Sequence, residues 1–180
     1  MSADDHGRHP EHRYLDLLRR GGSRIERIVR AWTRSAADAE ELRSEIHLQL
    51  WRSLPSFDDR SAEETWLYRV ALNTAMGFAR KRRRRPERLL PPDEMPEETA
   101  PAEAPAWIDE RALLRKVRHA LAELADLDRA IVALWLEDLP YRQIAEVTGL
   151  SEGNVGVRLH RARRLLAERL GEEETVHAPT

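Results

Sequence analysis

Between Pro140 and Leu170 the chain reads PYRQIAEVTGLSEGNVGVRLHRARRLLAERL, and that order of residues leaves little choice of local structure. Pro140 suits the first turn of a helix, where a backbone donor has no partner, and the short helix behind it turns Ile144, Ala145 and Val147 toward a core. Gly149 ends that helix, because glycine takes the left-handed conformation at little cost; Leu150 plugs the corner and Ser151 caps the next helix. Ala145 has to be small, or the two helices are pushed apart. The predicted unit is a helix, a tight turn and a second helix.

In the second helix Val155, Leu159, Ala162, Leu166 and Leu170 recur at three- and four-residue steps and make one buried stripe. The opposite face carries Gly153, Gly156, Val157, His160, Arg161 and Arg164. Small and hydrogen-bonding groups at the amino end with arginines behind them suit a helix whose first turns reach base edges in a major groove while later arginines hold phosphates. The same residues also fit a solvated basic face on an ordinary helical hairpin, and spacing alone leaves both readings open.

The 180 residues are enough for one ordinary domain or two small ones, and the charge distribution favours two. Residues 81–88 hold six cations and one acid, residues 89–110 hold seven acids and no cation, and the last ten hold three acids and no cation. The formal net charge of -2 therefore hides basic patches. Binding to a polyanion depends on local potential, so a near-neutral total does not exclude nucleic acid. There is no cysteine, which excludes disulfides and thiolate metal sites. No apolar run approaches the ~20 residues that span a bilayer, and MSADDHGRHPEHR has no signal-peptide core, so a cytoplasmic protein without membrane insertion is expected. His6, His9 and His12 belong to a polar, flexible terminus, and no metal or other cofactor is expected.

Taken in order, Tyr14, Leu15, Leu17 and Leu18 predict a short helix ended by Gly21-Gly22, and Ile25, Ile28, Val29 and Trp32 a second. In DAEELRSEIHLQLWRSL, Asp38 is the expected N-cap with Glu41 closing a capping box; Leu42, Ile46, Leu50 and Leu54 form the buried line. Glu41, Ser44, Glu45 and Leu48 share an adjoining face, which is either a solvated surface or a contact surface. Leu54 to Asp59 breaks the pattern as a loop. A longer helix runs from about Ala62 to the arginines near 82, with Trp66, Leu67, Val70, Ala71 and Thr74 inward and Arg69, Asn73 and Arg80 elsewhere. Lys81 to Arg85 are five consecutive cations, either a solvated helix end or a phosphate contact. Phe57, Trp66, Tyr68 and Asn73 upstream tilt that choice toward nucleic acid, since rings stack on exposed bases. PERLLPPDEMPEETAPAEAP is an extended, acidic, proline-rich linker. Trp107 to Leu124 and Leu127 to Trp135 predict two more helices before the helix-turn-helix. The expected class is all-α: two small helical domains joined by that linker, the second ending in the helix-turn-helix.

DAEELRSEIHLQLWRSLPSF, TWLYRVALNTA and YRQIAEVTGLSEGNVGVRLHRAR, in this order and at this separation, resemble the extracytoplasmic-function class of the sigma-70 family of bacterial sigma factors. The resemblance divides the chain into a disordered terminus (1–10), a region 2 domain (11–85), a linker (86–106), a region 4 domain (107–170) and an acidic tail (171–180). It implies a protein that binds core RNA polymerase, recognises two promoter elements, helps to open the duplex and does no covalent chemistry itself. Glu41, Ser44, Glu45 and Leu48 fall where the first domain grips a coiled coil of the polymerase's largest subunit. Phe57 and Asn73 fall where a base flipped from the minus-ten element is captured, with Trp66 supporting that surface and Arg80, Lys81 and Arg82 beside it. Tyr141, Asn154, Gly156, Val157, His160, Arg161 and Arg164 fall on the DNA-facing side of the second domain. The family's frequent restraint by an anti-sigma factor makes such a partner an expectation here.

Three positions depart from the family pattern. Ser44 replaces a usual glutamine, Asp58, Asp59, Arg60 and Glu63 replace an arginine-glycine-acid turn with a following aromatic, and Gly156 replaces a polar or basic residue. The main alternative is a helix-turn-helix repressor or activator that works without core polymerase, which leaves residues 38–85 unused. Glu45 with His47, or His119 with Glu123, could suggest an acid–base enzyme; neither pair has a nucleophile, phosphate loop or metal-spaced cluster beside it.

Overall fold

The computed structural model describes residues 10–57, 62–84 and 105–172. Residues 1–9 of the expected disordered terminus, the loop at 58–61, Arg85, and most of the linker and acidic tail lie outside the described residues, while Pro10 is helical. Among the described residues there are seven α-helices and no strand: α1 (Pro10–Trp32), α2 (Ala36–Ser53), a 3-10 turn (Leu54–Ser56), α3 (Glu63–Arg84), α4 (Pro105–Glu123), α5 (Asp126–Trp135), α6 (Tyr141–Thr148) and α7 (Glu152–Glu172).

The first correction concerns α1, which runs without a break through the Gly21-Gly22 pair that was expected to end it. Leu17, Gly21, Ile25, Ile28 and Trp32 fall on one stripe, and Gly21 lies in it because α3 passes there: a Cβ on Gly21 would sit 2.3 Å from Leu67 Cδ1. Glycine serves close packing here, and the helix tolerates its propensity cost of ~1 kcal/mol because the stripe is buried.

The second correction is the cap of α2. Ser35, not Asp38, is the N-cap, and its Oγ accepts from the Asp38 backbone N–H at 3.1 Å. Asp38 stands three residues later, in the returning position of a capping box, and its carboxylate instead accepts from Arg82 at 2.9 Å. The buried line is as expected: Leu42, Ile46, Leu50 and Leu54 are buried, each such side chain contributing roughly 1.5–3 kcal/mol.

On α3, Leu67 and Ala71 are buried with Trp66, Val70 and Thr74 partly so, while Leu72, Ala75, Phe78 and Ala79 extend the core beyond the expected set. Tyr68 is the third correction. Grouped by the sequence with rings that could stack on bases, it is 1% exposed, and burial first, then the charge of Glu137, pushes its hydroxyl pKa up to about 12.

α4 to α7 form the second helical group. Gly149 has φ 73° and its N–H donates to Ala145 O at 2.8 Å, and the Asn154 N–H donates to Ser151 Oγ at 3.3 Å, so the turn closes as its residues require. Val155, Leu159 and Ala162 are buried, with Leu166 and Leu170 partly covered. The buried side chains of both groups belong to one contiguous apolar cluster, with α1 and α3 packed on α4, α5 and α6.

Candidate nucleic-acid interface

Three surfaces carry the residues singled out by the sequence. On α2, Glu41, Ser44, Glu45 and Leu48 do share a face, and Leu48 is 45% exposed. Trp51, one turn further and 41% exposed, enlarges that apolar strip and was not singled out; its spacing of three from Leu48 was the available signal. Trp51 is held edge-on by Tyr14 at 5.3 Å between ring centres, and the Tyr14 hydroxyl lies 2.7 Å from His47 Nδ1. Burial lowers the His47 pKa and raises that of Tyr14, so a neutral ring accepting from a neutral phenol is the favoured arrangement. Glu45 is paired with Lys81 rather than His47, and Glu123 pairs with Arg169 at 2.9 Å, so neither candidate acid–base pair stands isolated in a cleft.

On α3, Asn73 and Arg80 are exposed, Trp66 is half-buried, and Arg69 lies between Trp66 and Asn73 on the same side. Phe57 is buried, tilted against Trp66 at 5.0 Å and covered by the Arg13 guanidinium at 5.1 Å. The loop ring is therefore a support for Trp66 in this conformation, and its own faces are occupied. Arg13 escaped the sequence reading because nothing local links it to residue 57.

Three cations of the run, Lys81, Arg82 and Arg83, are engaged by acids of neighbouring helices. Lys81 reaches Glu45 at 3.2 Å and Glu41 at 3.8 Å, Arg82 reaches Asp38, and Arg83 grips Asp126 of α5 with both terminal nitrogens. Lys81, Arg82 and Arg83 separate because a helix points successive residues in different directions, each of the three toward an acidic neighbour.

On the helix-turn-helix, Asn154, Val157, His160, Arg161 and Arg164 are all exposed, Val157 at 61%. Arg164 makes an i,i+4 pair with Glu168 at 3.6 Å, while Arg158, on the adjoining side, is bound to Asp128 at 2.7 Å and so ties α7 to α5. A Cβ on Gly156 would be 3.5 Å from the exposed Tyr141 ring, an ordinary contact, so packing does not force glycine at this position.

Among the described residues no cluster of acids and histidines could hold a metal ion, and no helix is long and apolar enough to cross a membrane. Comparison with known proteins matches residues 17–85 to the family described as sigma-70 region 2 and residues 114–166 to sigma-70, region 4. The chain is 31% identical over 146 residues to the ECF RNA polymerase sigma-E factor of Haemophilus influenzae, covering 76% of each chain. It is 30% identical over 165 residues to the ECF RNA polymerase sigma factor SigE of Mycolicibacterium smegmatis, covering 89% of this chain and 62% of that one. The fold is similar to that of CnrH in complex with the cytosolic domain of CnrY, with a TM-score of 0.66 at 21% identity over 90% of each chain. It is also similar to the sigma factor RpoE in complex with the anti-sigma factor NepR from Bartonella quintana, with a TM-score of 0.64 at 21% identity over 89% of this chain and 96% of that one.

Proposed function

This chain belongs to the extracytoplasmic-function class of the sigma-70 family of RNA polymerase sigma factors, and we propose on that premise that it binds core polymerase through α2, reads promoter DNA through α3 and α7, and assists duplex opening. The observation that carries the reading is the presence in one chain of an acidic and apolar face on α2 and an exposed recognition face on α7. On α2 the contacting set is Glu41, Ser44, Glu45 and Leu48, extended by Trp51. Carboxylates around exposed apolar side chains suit a partner that presents cations around an apolar ridge.

On α7, Val157 and His160 stand toward base edges, with Asn154, Gly156 and Tyr141 beside them, and Arg161 and Arg164 hold phosphate at the minus-thirty-five element. On α3, Trp66 and Asn73 capture a flipped base of the minus-ten element, Phe57 supports the Trp66 ring, and Arg80, Lys81 and Arg82 track the strand. Unstacking costs a few kcal/mol and the ring and amide return it on capture. The domain limits at 11–85 and 107–170 follow the same division of labour, as does the linker at 86–106. The chain does no covalent chemistry, acts in the cytoplasm beside the polymerase, and is open to restraint by an anti-sigma factor of the kind that binds the structural relatives.

A repressor or activator using α6 and α7 alone leaves the α2 face without a partner. Size-exclusion chromatography with purified core polymerase separates the two readings. Co-elution with core and weak binding to isolated promoter duplex is expected; tight duplex binding with no core complex would overturn the proposal.

A further inference from the structure

Trp66, Asn73, Gly77, Arg80 and Arg84 follow one another along α3 at steps of seven, four, three and four residues, so they stand in one row on one side of the helix. At 1.5 Å per residue that row is about 27 Å long. Asn73, Arg80 and Arg84 are exposed, and Trp66 and Gly77 are partly so. Arg82 and Arg83 point off the row, toward Asp38 and Asp126. Gly77 is the one position of the row without a side chain.

The fold does not ask for that glycine. A Cβ at Gly77 would meet no atom within 4 Å, in contrast to Gly21, where it would sit 2.3 Å from Leu67 Cδ1. Its backbone is ordinary α-helix, without the positive φ that Gly149 adopts. Glycine is the weakest helix former after proline, and Gly77 lies in the interior of a 22-residue helix, so the chain gives up helix stability at a place where alanine fits. What glycine supplies in such a place is close approach of the helix backbone to something outside the chain.

We propose that Gly77 is the point at which the sugar–phosphate backbone of the melted strand crosses α3, with a deoxyribose resting on the helix backbone itself. The inference deepens the reading of α3 given above and rests on it. The row changes character at Gly77: before it stand a ring and an amide, which suit a base, and after it two guanidinium groups, which suit phosphates. A strand whose base is held at Asn73 and whose phosphates reach Arg80 and Arg84 has to pass over the position between them, about 6 Å beyond Asn73 and about 4.5 Å short of Arg80 along the axis. A side chain there would lift the strand, and the Asn73 amide and both guanidinium groups would lose reach together. Gly77 is thus a positioning residue, indifferent to sequence, that sets the depth at which the strand lies.

The test uses the full-length chain assembled with core polymerase and a fluorescein-labelled single strand carrying the non-template minus-ten region of a promoter selected from a randomised library. Gly77→Ala is expected to raise the urea midpoint of the free chain and yet lower strand affinity severalfold. Gly77→Leu should lower it further, at a midpoint no lower than the parent's, while core affinity and upstream duplex preference stay unchanged in both. The sugar contact has its own readout. A single 2′-O-methyl group, moved along the strand one nucleotide at a time, should weaken parent binding most beside the captured base, and there the modification and Gly77→Ala together should cost less than the sum of their separate losses. Strand affinity equal to the parent's in both variants overturns the close approach. A lower urea midpoint for Gly77→Ala overturns it too, since Gly77 would then be a packing residue like Gly21. Losses that add at every nucleotide overturn the sugar as the group in contact. Failure of the sigma-factor reading shows differently, as a parent chain that forms no core polymerase complex, and it removes this inference with it.

Discussion

Lys81 on α3 stands against Glu45 on α2, with 3.2 Å between ammonium nitrogen and carboxylate oxygen. The cation assigned to phosphate and the acid assigned to polymerase therefore neutralise each other in the free chain, at a partly exposed position where such a pair contributes only ~0–1 kcal/mol. Lys81→Met should move the unfolding midpoint very little, leave core polymerase affinity intact and reduce single-stranded DNA binding together with its salt slope. Glu45→Lys should do the opposite, weakening core binding by at least severalfold in a fluorescence anisotropy titration. Equal core affinity for Glu45→Lys and the parent would mean that the α2 face is only solvated.

Gly21 and Gly22 are neighbours in one helix with opposite demands. Around Gly22 a Cβ meets nothing within 4 Å, whereas on Gly21 it would collide with the buried Leu67. Gly22→Ala should stabilise the chain by up to ~1 kcal/mol through helix propensity. Gly21→Ala should be worse than Gly22→Ala by ~1–3 kcal/mol, the usual cost of overpacking. Urea midpoints of the two variants compare them directly; equal stabilisation would show that α1 and α3 have room to spare.

That pair also shows where the sequence was legible and where it was not. Periodicity located the helical segments because each buries one stripe, although it split α1 in two, and the α6–α7 turn was readable to the residue since Gly149 and Ser151 act locally. Gly21 was misread as a terminator because its reason, Leu67, lies 46 positions away. The same blindness hid Arg13 over Phe57, Arg129 beneath Trp32, and Glu137 beside Tyr68. Asp38 looked like a cap since capping residues and paired acids share one chemistry, and only the Arg82 contact tells them apart. Of the candidate site, the α2 and α7 faces follow from helical spacing, while the engagement of the cation run depends on acids from two other helices.

Stability should depend on pH through His47. Burial first, against the raising influence of Glu26, holds its pKa below the ordinary 6.5. Below pH 6.5 the unfolded chain therefore takes up a proton that the folded chain resists, so stability falls as pH drops from 6.5 toward the folded pKa and is unaffected above 6.5. His47→Gln, which keeps an acceptor for the Tyr14 hydroxyl, should lose less stability than the parent between pH 7.5 and 5.5. Parallel urea midpoints for both proteins across that range would contradict the assignment.

On the proposed reading the recognition helix divides by role. Replacing Arg161 or Arg164 with alanine should lower affinity on all sequences and reduce the salt slope by about one unit, as loss of one phosphate contact does. Changing Val157 or His160 should alter which upstream sequence is preferred. Selection from a randomised promoter library, run at two salt concentrations, distinguishes them; identical preferences in all four variants would remove Val157 and His160 from the base edges.

Promoter melting is the activity that separates this account from a simple DNA-binding protein, and Asn73 on the exposed side of α3 is its most direct probe. Permanganate footprinting of a duplex promoter, with core polymerase present, should show reactive minus-ten thymines with the parent chain and markedly fewer with Asn73→Ala. On a template already mismatched across the minus-ten region the deficit should shrink only in part, because unpairing is no longer required while base capture still is. Thymine reactivity equal to the parent's on the duplex promoter would contradict base capture by α3.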